Sequence, residues 1–171
     1  MTDEEKELAL SLSADEITEA DFLRILQIGR ADVRQLTLRF LEESLATLDP
    51  EGVECALNVG FVFGFDTEHL DVLSALSDSE WHFRHEDVVE ALSDLQSPRT
   101  VDTLFRAALH PHGYLDYDES RSLSIKAIWA ISCVATPSAI EALHKLAASD
   151  IVRVAEEAKR HLEQAKGDGT L

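Results

Sequence analysis

Little in this sequence turns a tight corner. Only seven glycines and four prolines are spread over 171 residues, which argues against a strand-and-turn protein and favours long helices with short connections. Two cysteines are too few for a disulfide scaffold. Cys55 and Cys133 each sit inside an apolar segment, as buried thiols of a cytosolic protein do, with a disulfide between them as the alternative. No apolar run approaches the roughly 20 residues that cross a bilayer. Met1-Thr2-Asp3-Glu4-Glu5 is acidic where a secretory signal opens basic. The expected place is the cytoplasm, with no membrane contact. Bases are scarce as well: 15 Lys and Arg stand against 33 Asp and Glu, a net charge of −18. A field of that sign repels phosphate, which argues against nucleic acid and for a basic protein as partner.

What is present reads as one globular domain over residues 1–171, with 45% apolar and 28% charged residues. Its charge is clustered. Residues 42–98 hold fourteen acids and a single base, Arg84, whereas Arg24, Arg30, Arg34 and Arg39 crowd into residues 22–41.

Three prolines follow a helix-capping side chain: Asp49-Pro50, Ser97-Pro98 and Thr136-Pro137. Proline suits the first helical position, where its missing N–H costs nothing, and the residue before it accepts a free N–H of the first turn. Helical spacing follows two of these starts, with Val101, Leu104, Phe105 and Ala108, and with Ile140, Leu143, Leu146 and Ala147. Val88, Ala91, Leu92 and Leu95 form a third stripe, opposite Glu86, Asp87, Glu90 and Asp94. Further helices fit at about 16–28, 32–48, 66–77, 119–134 and 150–165. Residues 58–65 alternate like a strand, but Val53, Ala56, Leu57, Gly60, Phe61 and Gly64 share a helical stripe. No second strand is evident to pair with them, so a buried helix with glycines for close packing is expected.

A shift of 39 residues lays Ala91 on Ala130, Leu92 on Ile131, Val101 on Ile140, Leu104 on Leu143 and Ala108 on Ala147. A shift of 28 lays Ala127 and Ala130 on Ala155 and Ala158. The difference is the length of His110–Ser120, so a helix-pair unit of about 28 residues with one insertion accounts for both.

Asp150-Ile151-Val152-Arg153-Val154-Ala155-Glu156-Glu157-Ala158 resembles the signature of short HEAT-like repeats, the type also called PBS-lyase repeats. Ser124-Ile125-Lys126-Ala127-Ile128-Trp129-Ala130-Ile131 is a fair echo and Asp32-Val33-Arg34 a weaker one. Ser93 and Ser132 stand where the family often has a glycine closing the first helix. The resemblance implies an all-α fold, a right-handed stack of antiparallel helix pairs forming a short α-solenoid. Its clearest repeats lie at 80–166, its divergent N-terminal helices at 1–48 and a tail at 167–171. Small acidic HEAT-like proteins resemble immunity proteins of bacterial toxin systems, which implies direct binding of a basic toxin. Some PBS-lyase-type proteins attach bilins, which implies a lyase-like or other cofactor-handling enzyme as the alternative. A general scaffold or assembly factor is a third.

His82 and His85 are spaced to share a helix face, but no further Cys or His stands at ligand spacing, so no metal is expected. His85-Glu86 is similar to the His-Glu dyads of deoxyhypusine hydroxylase, a HEAT-repeat di-iron enzyme that looks to need several; one dyad does not carry that reading. No nucleophile elbow, phosphate-binding glycine loop or paired catalytic carboxylates appear, so neither an enzyme nor a cofactor is expected. The candidate residues for binding a partner are Glu51, Glu54, Asp71, Glu86, Asp87, Glu90 and Asp94 of the acidic tract, with Trp81, Tyr114 and Tyr117 as aromatic anchors. In the insertion, Tyr114, Leu115 and Tyr117 alternatively strap the loop to the core while Asp118 caps the next helix.

Overall fold

The computed structural model describes residues 1–110, 112–115 and 118–167, and all regular structure among them is helical. The chain divides into two compact units, Met1–Asp87 and Val88–Leu171. Among the described residues no helix is long and apolar enough to cross a membrane.

The first unit holds α1 (Asp3–Ser13), α2 (Glu19–Leu26), α3 (Val33–Thr47), α4 (Pro50–Phe63) and α5 (Leu70–Ser77). α1 and α3 both pack on α4, and α3 also packs on α5. α4 is central because it is apolar on nearly every side: Val53, Cys55, Ala56, Leu57, Val59 and Phe63 are all buried. Phe22 of α2 meets Phe63 with ring centroids 5.6 Å apart, and Ala9, Leu12, Val33, Cys55 and Val59 complete that core. Each large side chain so buried contributes about 1.5–3 kcal/mol.

Residues 58–63 of the stretch that alternates like a strand are thus the end of α4, and Gly64 and Phe65 lie just past it. Its glycines have two different jobs. A Cβ on Gly60 would lie 2.1 Å from the Phe65 ring, so that glycine seats an aromatic side chain. Gly64 adopts φ +89° and ends the helix, rather than permitting close packing as its spacing implied.

The second unit begins inside α6 (His85–Asp94) and continues with α7 (Val101–Leu109), α8 (Ser122–Val134), α9 (Pro137–Ala147) and α10 (Val152–Gly167). Each neighbouring pair from α7 onward packs together, and α7 also touches α9 while α8 touches α10. Residues matched by the sequence shifts are buried in step: Ala91 with Ala130, Leu92 with Ile131, Leu104 with Leu143, and Ala127 and Ala130 with Ala155 and Ala158. Ile140 and Ala147 are only half-buried, because the inner stripe of α9 runs through Ala139, Ala142, Leu143 and Leu146.

The helix starts follow the capping chemistry. Asp49 accepts the Gly52 N–H, Ser97 the Arg99 N–H and Thr136 the Ala139 N–H, each with a proline just inside. α1 has no counterpart in the helices read from the sequence. Its signal is a reciprocal box, in which Thr2 Oγ1 accepts the Glu5 N–H at 3.2 Å and the Glu5 carboxylate accepts the Thr2 N–H at 2.7 Å. Helix ends are handled without glycine in several places. Gln27, Leu48 and Ala135 close α2, α3 and α8 in the left-handed region, and Gln96 takes φ +42° just after α6. Gln96 and Ala135 thereby do the work of the glycine that Ser93 and Ser132 replace.

Candidate functional site

In the first unit the acidic tract is partly matched from within. The Lys6 ammonium reaches Asp49 at 2.7 Å and Glu51 at 3.0 Å, tying α1 to the start of α4. Burial pushes the Asp49 carboxyl up, but Lys6 and the Gly52 N–H outweigh it and hold Asp49 below the ordinary carboxylate range. Arg84, the tract's own base, pairs with Glu54 and lies 3.5 Å from Asp87. Glu51, Glu54 and Asp87 therefore already face a cation; Glu68 and Asp71 lie at the surface.

Trp81 is half-buried, its ring set edge-on to His82. His82 precedes α6 instead of sharing its face with His85, and the two buried imidazoles stack with centroids 4.1 Å apart. A carbonyl can only accept, so His82 Nε2–H donates to Leu76 O (2.8 Å) and His85 Nε2–H to Ser79 O (2.6 Å). These histidines pin the link between α5 and α6. The aromatic ring that this link leaves in water is Phe83, 65% exposed.

In the second unit, α6 and α8 border a groove of about 290 Å³. Val89 and Ser93 line it from α6, and Trp129 stands in it from α8 with 52% of its surface exposed. Glu90 and Asp94, one helical turn apart, line it as well. Lys126 Nζ lies 3.5 Å from Glu90, and among the described residues no cation pairs with Asp94. Burial, and then the charge of Glu90, push the Asp94 carboxyl up. Glu86 and Asp87, the other two acids of the α6 stripe, are half-buried.

Trp129 and Lys126 escaped the sequence reading. α8 is apolar on all sides, so its periodicity marks no outer face. One signal was available: Lys126 is its only charged residue, and Trp129 and Cys133, three and seven positions on, share that face. The same geometry corrects the reading of Cys133, which is half-exposed and not buried; Cys55 is buried, and both thiols are free. Burial raises both thiols, Cys55 to about 11 with Glu51 and Glu54 adding to the effect. Neither is poised as a thiolate near neutrality.

Within the insertion after α7, Gly113–Leu115 forms a single tight turn. His112 is buried, Tyr114 is half-buried with its ring 6.1 Å from that of His112, and Leu115 N–H donates to His112 O at 2.8 Å. Asp118 takes the Ser120 hydroxyl and the N–H groups of Ser120 and Ser122, contacts that draw its carboxyl down to about 2 and hold the start of α8. Tyr117 lies outside the described residues. Comparison with family models, with curated proteins and with solved structures finds no match.

Proposed function

We propose that this protein is a non-catalytic binding protein whose partner is a basic protein, and that its helices form short HEAT-like stacks of antiparallel pairs. The observation that carries the reading is the charge of residues 42–98: fourteen acids against Arg84, which Glu54 and Asp87 already engage. Like charges on one helix face cost a few tenths of a kcal/mol each, and a surface that tolerates many of them gains steering toward a cation-rich partner. The stacked-pair reading draws on alternate helices touching, α3 with α5 in the first unit and α7 with α9 and α8 with α10 in the second. The immunity-protein resemblance makes a basic toxin the partner of first choice, bound directly and neutralised by occlusion.

Affinity capture from the native host tests this. The wild type should retain a basic protein at low salt and release it near 0.5 M NaCl, where the Debye length falls to about 4–5 Å. Changing Asp71, Glu86, Glu90 and Asp94 together to their amides should lower retention at least about ten-fold, since each charge contributes through the shared field. Equal retention by both forms, or retention only of acidic proteins, would sink the proposal.

A further inference from the structure

Trp129 is the largest side chain the second unit leaves in water, and it stands in a groove of apolar character rather than on an open face. At about 290 Å³ that groove is at or below the small end of the range for drug-sized ligands, and suits one long side chain. Its charges do not balance. Two carboxylates, Glu90 and Asp94, share it with one ammonium, Lys126, which lies at the limit of contact with Glu90. A cation supplied from outside would answer both Asp94 and the repulsion between the two acids.

The form of that cation follows from the walls. An ammonium is strongly hydrated and offers no plane, so it gains little from an indole. A guanidinium is planar, weakly hydrated, stacks on aromatic faces and donates in a fork that fits a carboxylate. We infer that the α6–α8 groove receives an arginine side chain of the basic partner, with the guanidinium over the Trp129 indole and its N–H groups on Glu90 and Asp94. The inference rests on the binding function proposed above and adds where the contact is made and which residue the partner must present. Val89 and the Ser93 Cβ would cover the aliphatic stem.

The test uses the full chain, labelled with nitrogen-15, and two short synthetic peptides that alternate Ala with Arg or Ala with Lys. Trp81 and Trp129 give separate indole N–H resonances, assigned with Trp129→Phe. The arginine peptide should shift the Trp129 resonance while leaving that of Trp81 in place. It should bind at least about five-fold tighter than the lysine peptide, the margin expected of one stacked and forked contact. Trp129→Ala, at an exposed position, should leave the helical circular dichroism unchanged and lower the affinity for the arginine peptide at least about five-fold. Trp129→Phe should keep part of it, and Glu90→Gln with Asp94→Asn should abolish the preference for arginine. A still Trp129 resonance, equal binding of the two peptides, or full affinity in Trp129→Ala overturns the inference. The two proposals fail differently: a basic host protein held equally by wild type and Trp129→Ala refutes the groove alone, whereas a wild type that holds none refutes the binding function itself.

Discussion

Gly60 is where one methyl group decides between two opposed effects. Alanine is the better helix former by about 1 kcal/mol, yet its Cβ would meet Phe65, whose ring is set edge-on to both Phe61 and His69. Gly60→Ala is therefore expected to destabilise by about 1–3 kcal/mol through overpacking. Urea unfolding would read this as a lower midpoint with an unchanged slope, and a variant as stable as wild type would mean the ring swings aside freely. The spacing of Gly60 and Gly64 announced a special role but not which one, because a close approach and a left-handed stop leave the same letter in a sequence. Trp129 was harder to see. Periodicity separates inside from outside only where polar residues mark the outside, and Lys126 is the lone charged residue on α8, whose serines fall on buried and outer faces alike. Trp81, the tryptophan that the sequence favoured, is half-buried with its ring edge-on to His82.

Among whole elements, helix starts were far more legible than helix ends. A start is written in side chains, with Asp, Ser or Thr ahead of proline, and the structure places the caps at Asp49, Ser97 and Thr136. The first helix carries the same kind of signal in Thr2 and Glu5, short enough to pass for plain acidity. An end is usually written as glycine, and here Gln27, Leu48 and Ala135 take the left-handed turn without one. A side chain in that region costs about 1–2 kcal/mol. Ala135→Gly should therefore raise stability by about 0.5–1 kcal/mol after the extra freedom glycine has in the unfolded chain is counted. Thermal melts of the two forms decide it; an unchanged or lower Tm would show that the Ala135 methyl makes contacts worth the strain.

For the whole molecule, charge sets the response to solvent. With a net charge of −18, self-repulsion should make Tm rise between about 0.02 and 0.3 M NaCl, over which the Debye length falls from roughly 20 to 6 Å. Partner affinity should fall over the same range, so a common direction for both would contradict the electrostatic account. The pH dependence has two arms. Asp94 is raised in the folded state, so its contribution is present at low pH and is lost as pH rises through its folded value. Asp49, Glu5 and Glu157 are lowered, so their contributions are present above the unfolded carboxylate range and are lost as pH falls through their folded values. The three lowered carboxylates outnumber the raised one, so stability should fall as the pH drops below the ordinary carboxylate range. A monotonic rise down to pH 2, followed by circular dichroism, would refute the second arm. The sign and clustering of this charge were fully legible in the sequence; which acids are already matched was not, because Lys6 reaches Asp49 and Glu51 across more than forty positions of chain.

The glycine-free helix ends also have a meaning for change over generations. Proteins sit just above the stability they need, so a substitution that retunes a binding surface is often lost for want of margin. Gln27, Leu48 and Ala135 are positions where a single replacement can restore that margin without touching either unit's core. The joints of this chain are a reserve of tolerance, available to substitutions elsewhere on its surface.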